Sequence, residues 1–385
     1  MSDLSLQFKQ AVSQLPVSSY FDEALFTREM ETILQPGPRY VGHELAVPEV
    51  GDYLALPQEG EGRALVRTPA GIELISNVCR HRQAVMLRGR GSIAPGHGAS
   101  GSGGNIVCPL HRWTYSGGNG SPVGTLLGAP RFADDPCLSL KRYPLQSWNG
   151  LLFEANGFDV NAAMRRLGPT PEHFDFSGYV LDHVELHEVD YNWKTFIEVY
   201  LEDYHVGPFH PGLGNFVTCD DLRWDFGKHW SVQTVGVANA LGKAGSDVYG
   251  KWHDEVLRCQ GDKPLKHGAV WLTLHPNVMV EFYPNVLVVS TLLPKGPQKT
   301  VNVVEFFYPE EIAAFEREFV EAQRAAYMET CVEDDEIALR MDAGRKALHE
   351  RGDNEVGPYQ SPMEDGMQHF HEWYREMMGA HVPAA

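Results

Sequence analysis

Basic residues are scarce in this chain. It carries 32 Lys and Arg against 51 Asp and Glu, for a formal net charge of −19. Nucleic-acid binding needs a basic surface to neutralise phosphates, so that class is excluded. The same acidity suits a soluble protein and favours a basic redox partner. No apolar run reaches the roughly 18 residues that a membrane helix needs. The opening MSDLSLQFKQ has no basic stretch followed by an apolar one, so no export signal is expected and a cytoplasmic location follows. Cysteine is sparse as well: six in 385 residues do not make a disulfide scaffold. No internal repeat is visible, and no GxGxxG opens a strand–helix–strand unit, so no dinucleotide site is expected.

What is present falls into two regions. Residues 21–35 predict an amphipathic helix with Phe26, Met30, Ile33 and Leu34 on one face, stopped by Pro36-Gly37-Pro38. From Tyr40 to about Phe153, short apolar runs alternate with Gly and Pro turns, which predicts an all-β module. Within it, Gly89 to Gly104 reads as a flexible Gly/Ser-rich loop. Beyond Pro169, strands are expected at Val180–Val189, Ala269–Leu274, Val278–Tyr283, Val286–Leu293 and Val301–Tyr308, and a helical pattern at Asn192–His205. Glu310–Arg351 reads as long helix and Met363–Met378 as a last amphipathic one. Strands followed by long helices predict an α+β domain in which a curved antiparallel sheet grips helices.

Two constellations carry chemistry. The first is Cys79-Arg80-His81 together with Cys108-Pro109-Leu110-His111. Each half pairs a thiolate with an imidazole on a short turn. Two such loops facing each other supply the two sulfurs and two nitrogens of a Rieske-type [2Fe–2S] cluster. A structural zinc site also uses two cysteines and two histidines, but usually pairs Cys with Cys and His with His. Here each pair is mixed. The second constellation is Glu202-Asp203-Tyr204-His205, followed by His210. Glu202 and His205 are three apart, so they share a helix face. Gly207-Pro208 then ends or bends the helix and brings His210 back toward His205. Two histidines and a carboxylate from elsewhere make the facial triad of non-haem Fe(II) oxygenases.

The residues flanking both constellations resemble the Rieske non-haem iron oxygenases, the alpha subunits of the ring-hydroxylating oxygenase family. Cys79-Arg80-His81-Arg82, then Cys108-Pro109-Leu110-His111 with Trp113 and Tyr115, match that family's CxHR and CPxHxWxY. The family's iron-binding segment resembles Asn192-Trp193-Lys194 followed by E-x2-H-x4-H. Its late ED-x9-G pattern matches Glu333-Asp334 with Gly344. The C-terminal Gln360–Glu364 and Phe370–Tyr374 resemble the Glu-bridged, quaternary-amine-oxygenase-like members. The chain departs from the family in lacking its usual Trp before Tyr40, in a long gap between the cluster motifs, and in Val199 where Asn is common.

The resemblance implies a Rieske domain over residues 40–155, and a helix-grip (START-like) catalytic domain from residues 1–39 and 156–385. It implies Cys79, His81, Cys108 and His111 on the cluster, and His205, His210 and Asp334 on a mononuclear Fe(II), with Glu333 and Asp335 as alternatives to Asp334. It implies O2 as co-substrate and NAD(P)H electrons delivered by a separate reductase or ferredoxin. Glu202 is implied as the inter-subunit electron-transfer bridge, linking His205 to His111 of the next chain in a homotrimer. The expected reaction is hydroxylation of a small organic substrate, leaning to monooxygenation or demethylation, with aromatic cis-dihydroxylation as the alternative. A Rieske electron carrier without oxygenase chemistry is the rival from another class. Tyr115 reads either as a hydrogen-bond donor to a cluster sulfur or as a packed aromatic. The substrate pocket is expected between Phe209 and Tyr283, with Phe216, Trp224, Phe226, Trp230 and Trp252 on its walls, able to stack an arene or cage a cation. His369 and His371 read as surface residues. Cys137, Cys219, Cys259 and Cys331 read as reduced and inert.

Overall fold

The computed structural model describes residues 13–96, 103–132, 135–167, 171–238, 245–261 and 264–382. The chain forms two compact units: Arg39–Asn161, and the flanking segments Met1–Pro38 and Ala162–Ala385.

The smaller unit is all-β. A five-stranded antiparallel sheet runs in the order Arg90–Ser92, Asp52–Ala55, Arg63–Thr68, Gly71–Ser76, Arg142–Tyr143. A three-stranded sheet of Asn105–Val107, Thr114–Ser116 and Leu126–Gly128 faces a core shared with it. Both motif cysteines belong to that core, beside Trp113 and Tyr115. Residues 97–102 of the Gly/Ser-rich stretch lie outside the described residues.

The larger unit is built on seven antiparallel strands: β1 (Tyr179–Val189), β2 (Val217–Phe226), β3 (Trp230–Val237), β4 (Ala269–Leu274), β5 (Val278–Tyr283), β6 (Val286–Gly296) and β7 (Lys299–Pro309). Their spatial order is β1-β7-β6-β5-β4-β3-β2. Along β4 every residue is buried, so its run AVWLTL is apolar on both faces. In β5 the alternation Met279, Glu281, Tyr283 places a carboxylate among apolar neighbours on one face, and Glu281 pairs in register with Trp271 and Val288.

Helices cover that face. They are α1 (Glu23–Glu29), α2 (Trp193–Tyr200), α3 (Val206–Phe209), α4 (Asp247–Gln260), α5 (Glu310–Phe315), α6 (Arg317–Arg351) and α7 (Asp365–Met378). Asp22 caps α1 through Leu25 N, and the turn runs on as a π-helical stretch at Met30–Leu34. Ser246 caps α4 through Tyr249 N. The expected single helix over 310–351 is two, broken at Glu316 (φ −119°, ψ 55°). Gly352 ends α6 in the left-handed region (φ 77°), where a residue without Cβ is favoured. Tyr249, Trp252 and Val256 of α4 and Phe319, Val320 and Ala326 of α6 pack on Val288, Val304 and Phe306 of the sheet. Strands β2 and β3 and helix α4 escaped the sequence reading, because polar and charged residues interrupt the apolar period in each.

The Asn192-Trp193-Lys194 motif is structural. Asn192 caps α2 through Lys194 N at 2.9 Å. Trp193 Nε1 donates to Glu29 at 3.0 Å and Lys194 Nζ donates to Glu29 at 2.6 Å, with both Lys194 and Glu29 fully buried. The motif fixes the base of α2, and its next residues lead into the histidine segment. His371 corrects the surface expectation. It is 1% exposed, bonded to Glu198 at 2.8 Å and to Tyr359 at 2.7 Å. His369 is partly buried and bonded to Gly227 O at 3.0 Å. The apolar face of α7 is broad enough to take both histidines inside.

Candidate active site

The two cluster loops repeat one backbone pattern. In the first, Cys79 N donates to Ala84 O at 2.9 Å and Gln83 N to Cys79 O at 3.1 Å. In the second, Cys108 N donates to Trp113 O at 2.8 Å and Arg112 N to Cys108 O at 3.1 Å. Each loop closes through a left-handed residue, Gln83 at φ 56° and Arg112 at φ 62°. The paired loops bury both cysteines and bring the His81 and His111 rings to 4.7 Å between centroids, with His81 stacked on Trp113 at 4.9 Å. His111 is exposed. Two buried thiols beside two outer imidazoles are the donor set of a His2Cys2 cluster. Tyr115 is fully buried and its hydroxyl lies 3.5 Å from Cys79 Sγ, while Arg80 N donates to that hydroxyl at 3.0 Å. Tyr115 is thus both a packed aromatic and a neighbour of the sulfur.

The histidine segment differs from the expected helix. α2 ends at Tyr200, and residues 201–205 form a turn in which Asp203 N donates to Met363 O at 3.1 Å. Glu202 still meets His205, through the turn. Its carboxylate bonds His205 Nδ1, and His205 N donates to it at 3.1 Å. Gly207-Pro208 lies inside α3, whose single turn carries the chain from His205 to His210.

Three side chains converge here. His205 Nε2 and His210 Nε2 are 3.0 Å apart, and Asp334 Oδ1 lies 3.3 Å from the first and 3.0 Å from the second. Ligands about 2.1 Å from one metal and 90° apart are separated by about 3 Å, so this triangle fits a facial triad. The alternatives to Asp334 point elsewhere. Glu333 Oε2 sits 2.7 Å from His210 Nδ1, on the ring's far side. Asp335 bonds Tyr191 OH and His187 Nε2, each at 2.7 Å. Glu202 and Glu333 therefore hold the outer nitrogens and leave both Nε2 atoms aimed at the shared point. Burial disfavours a charged His205, but Asp334 and Glu202 outweigh it and hold its proton up to about 10. Burial likewise opposes ionised Asp334, yet its bonds to the two imidazoles bring it below its ordinary value.

Beside the triad opens a cavity of about 70 Å³, lined by residues of α2, α4, α6, β4 and β5. Of the aromatics expected there, only Trp252 lines it. Phe216 is core, stacked on Trp252 at 4.2 Å. Trp224 bonds Pro362 O, Trp230 bonds Ala163 O, and Phe226 is exposed. The residues that do line it include Tyr200, Tyr249, Trp271, Tyr283 and Tyr327, together with the carboxylate of Glu281. Glu281 sits mid-strand in VMVEFY, where an acid is out of pattern. That irregularity was the available signal.

The chain matches the Rieske [2Fe-2S] domain over residues 39–133 and the ring hydroxylating alpha subunit catalytic domain over residues 176–380. It belongs to the Rieske ring-hydroxylating oxygenase family and is an oxygenase that hydroxylates a small organic substrate, with a [2Fe–2S] cluster, a mononuclear iron and O2. Among its relatives, the putrescine 2-hydroxylase of Ralstonia nicotianae is 65% identical over 380 residues, covering 98% of this chain and all of that one. The putrescine 2-hydroxylase of Bordetella bronchiseptica is 63% identical, over 96% of this chain and 85% of that one. Among solved structures, the quaternary ammonium Rieske monooxygenase CntA superposes with a TM-score of 0.71 at 18% identity, over 94% and 95% of the two chains, a likeness of fold. A match through the catalytic domain leaves no room for the pure electron carrier. Among the described residues no helix is long and apolar enough to cross a membrane.

Proposed function

We propose that this chain is the terminal oxygenase of a diamine hydroxylase, inserting one oxygen atom at a carbon of putrescine. The carrying observation is the 65% identity to a putrescine 2-hydroxylase along essentially the full length of both chains. Two buried acids, Glu281 and Asp203, among the aromatic residues of the cavity support it: such a wall suits a protonated amine and is a poor match for a neutral arene. That observation disfavours aromatic cis-dihydroxylation.

The division of labour follows the sequence reading: cluster chemistry in residues 40–155, and oxygen chemistry in residues 1–39 with 156–385. Cys79 and Cys108 hold one cluster iron and His81 and His111 the other. His205, His210 and Asp334 hold the mononuclear Fe(II). When bound, the cluster supplies electrons singly and the mononuclear iron activates O2. The chain's own residues do the rest. Glu202 and Glu333 hold the Nδ1 protons, so each imidazole would present Nε2 to the iron once the metal displaces the Nε2 proton. Tyr249, Trp252 and Trp271 exclude water from one side of the triad. Glu202 also serves as the electron bridge from His111 of a neighbouring subunit in a homotrimer, which keeps the hop short. A separate NAD(P)H-dependent reductase or ferredoxin feeds the cluster, in the cytoplasm.

The test is reconstitution with a reductase, NADH, O2 and putrescine, with product analysis. A monohydroxylated diamine formed in step with O2 consumption is expected. Uncoupled O2 uptake with putrescine unchanged, and turnover of a neutral arene instead, would overturn the reading.

A further inference from the structure

We propose that Glu281 is the anionic anchor for one ammonium group of the substrate, and that the aromatic residues around it select for protonated amines. This deepens the diamine-hydroxylase reading above and rests on it.

Glu281 is 1% exposed and lines the cavity from the middle of β5. Among the described residues, no Lys, Arg or His pairs with it. A buried carboxylate without a cation is costly, and such groups concentrate where a ligand provides the missing charge. Its two oxygens are held by phenols from different elements. Tyr283 OH donates to Oε2 at 3.0 Å and Tyr327 OH to Oε1 at 2.8 Å. Trp271 Nε1 in turn donates to Tyr283 OH at 2.9 Å, which fixes that phenol's direction. Each carboxylate oxygen keeps a further lone pair for a third donor.

The surroundings match a cation. Tyr283 stands perpendicular to Tyr327 and nearly so to Trp252, with ring centroids 6.3 and 6.1 Å apart. Rings in several orientations thus line the cavity beside the carboxylate, and an aromatic face within reach attracts an ammonium. Three further buried polar atoms in the cavity wall have no partner: Tyr200 OH, Trp252 Nε1 and Asp203 Oδ2. The Tyr200 oxygen is a ready acceptor for an ammonium N–H.

Burial pushes the Glu281 carboxyl up to about 7, against the two phenol bonds that lower it. The groups facing it are Tyr283 on its own strand, Trp271 on β4, Tyr200 on α2, and Tyr327, Cys331 and Asp334 on α6. No Lys or Arg lines the cavity, and its two histidines are the triad pair His205 and His210. Below neutrality an incoming ammonium must therefore displace a proton from Glu281, and amine affinity is coupled to pH.

The experiment uses holoenzyme with its reductase, comparing putrescine with 4-aminobutan-1-ol, in which a hydroxyl replaces one ammonium. Glu281→Gln is expected to raise the KM for putrescine about 30-fold or more, because a buried charge pair is lost. It should also erase the preference for putrescine over the amino alcohol, with cluster spectrum and iron content unchanged. The wild-type enzyme supplies a readout that needs no variant. Its KM for putrescine should fall as pH rises toward about 7 and then level off. An unaltered KM and preference in the variant, or a pH-independent wild-type KM, with putrescine turnover intact, overturns the anchor and leaves the diamine hydroxylase standing. A wild-type holoenzyme that oxidises no amine overturns the function itself and the anchor with it.

Discussion

Glu333 and Asp334 are adjacent in sequence and meet His210 on opposite sides of its ring: Asp334 Oδ1 lies 3.0 Å from Nε2, and Glu333 Oε2 lies 2.7 Å from Nδ1. A helix turns about 100° per residue, so neighbours on α6 reach different atoms of one imidazole. This predicts separable phenotypes. Asp334→Ala should lose mononuclear iron and putrescine-dependent O2 uptake while keeping the cluster's visible and EPR spectra. Glu333→Gln should keep the iron ligands and weaken iron affinity about 10- to 100-fold. Metal analysis of both variants checks this, and equal iron loss in the two would contradict it.

Glu202 bonds His205 Nδ1 from the turn after α2. If it also carries electrons from the neighbouring subunit, Glu202→Gln should lower steady-state turnover at least about tenfold with both metal centres loaded. Rapid-mixing measurements should place the defect in re-oxidation of the reduced cluster. Cluster re-oxidation at the wild-type rate would remove Glu202 from the electron route.

Tyr115 OH lies 3.5 Å from Cys79 Sγ in the buried wall of the cluster loops. A hydrogen bond to a cluster sulfur stabilises the reduced, more negative form. Tyr115→Phe should therefore lower the midpoint potential by about 40 mV, one hydrogen bond of about 1 kcal/mol spread over one electron. Protein-film voltammetry measures it. An unchanged potential would make Tyr115 a packing residue alone.

The sequence made the metal chemistry legible because ligands must be near one another and short loops keep them so. The Cys79/His81 and Cys108/His111 pairs and the His205/His210 pair could be read from spacing and family resemblance. The central strands could be read because β4 and β6 are apolar on both faces. The cavity was not legible. Its aromatics come from α2, α4, β4, β5 and α6, which only the tertiary fold brings together, while Trp224 and Phe226, expected on its walls, turn away. Glu202 and His205 also show that spacing underdetermines geometry, since a turn delivers the same contact as a helix.

Glu281 affects stability as well as binding. Its folded-state value of about 7 lies above its ordinary 4.5, so the folded protein binds this proton more tightly than the unfolded chain does. Its contribution is fully present below about pH 4.5 and is lost as pH rises to about 7. Without amine, the Tm of Glu281→Gln relative to wild type should rise between pH 5 and pH 8 in differential scanning calorimetry. A difference that is flat with pH would show that Glu281 titrates normally. Amine binding should cancel the wild-type deficit, since the ligand supplies the missing charge.

The most direct test is to run the reconstituted enzyme with putrescine under isotopically heavy O2 and follow the product by mass spectrometry. Hydroxyputrescine carrying one heavy oxygen atom, formed in proportion to NADH and O2 consumed, is the predicted result. Product oxygen drawn from water, or incorporation of both atoms of O2, would contradict the account.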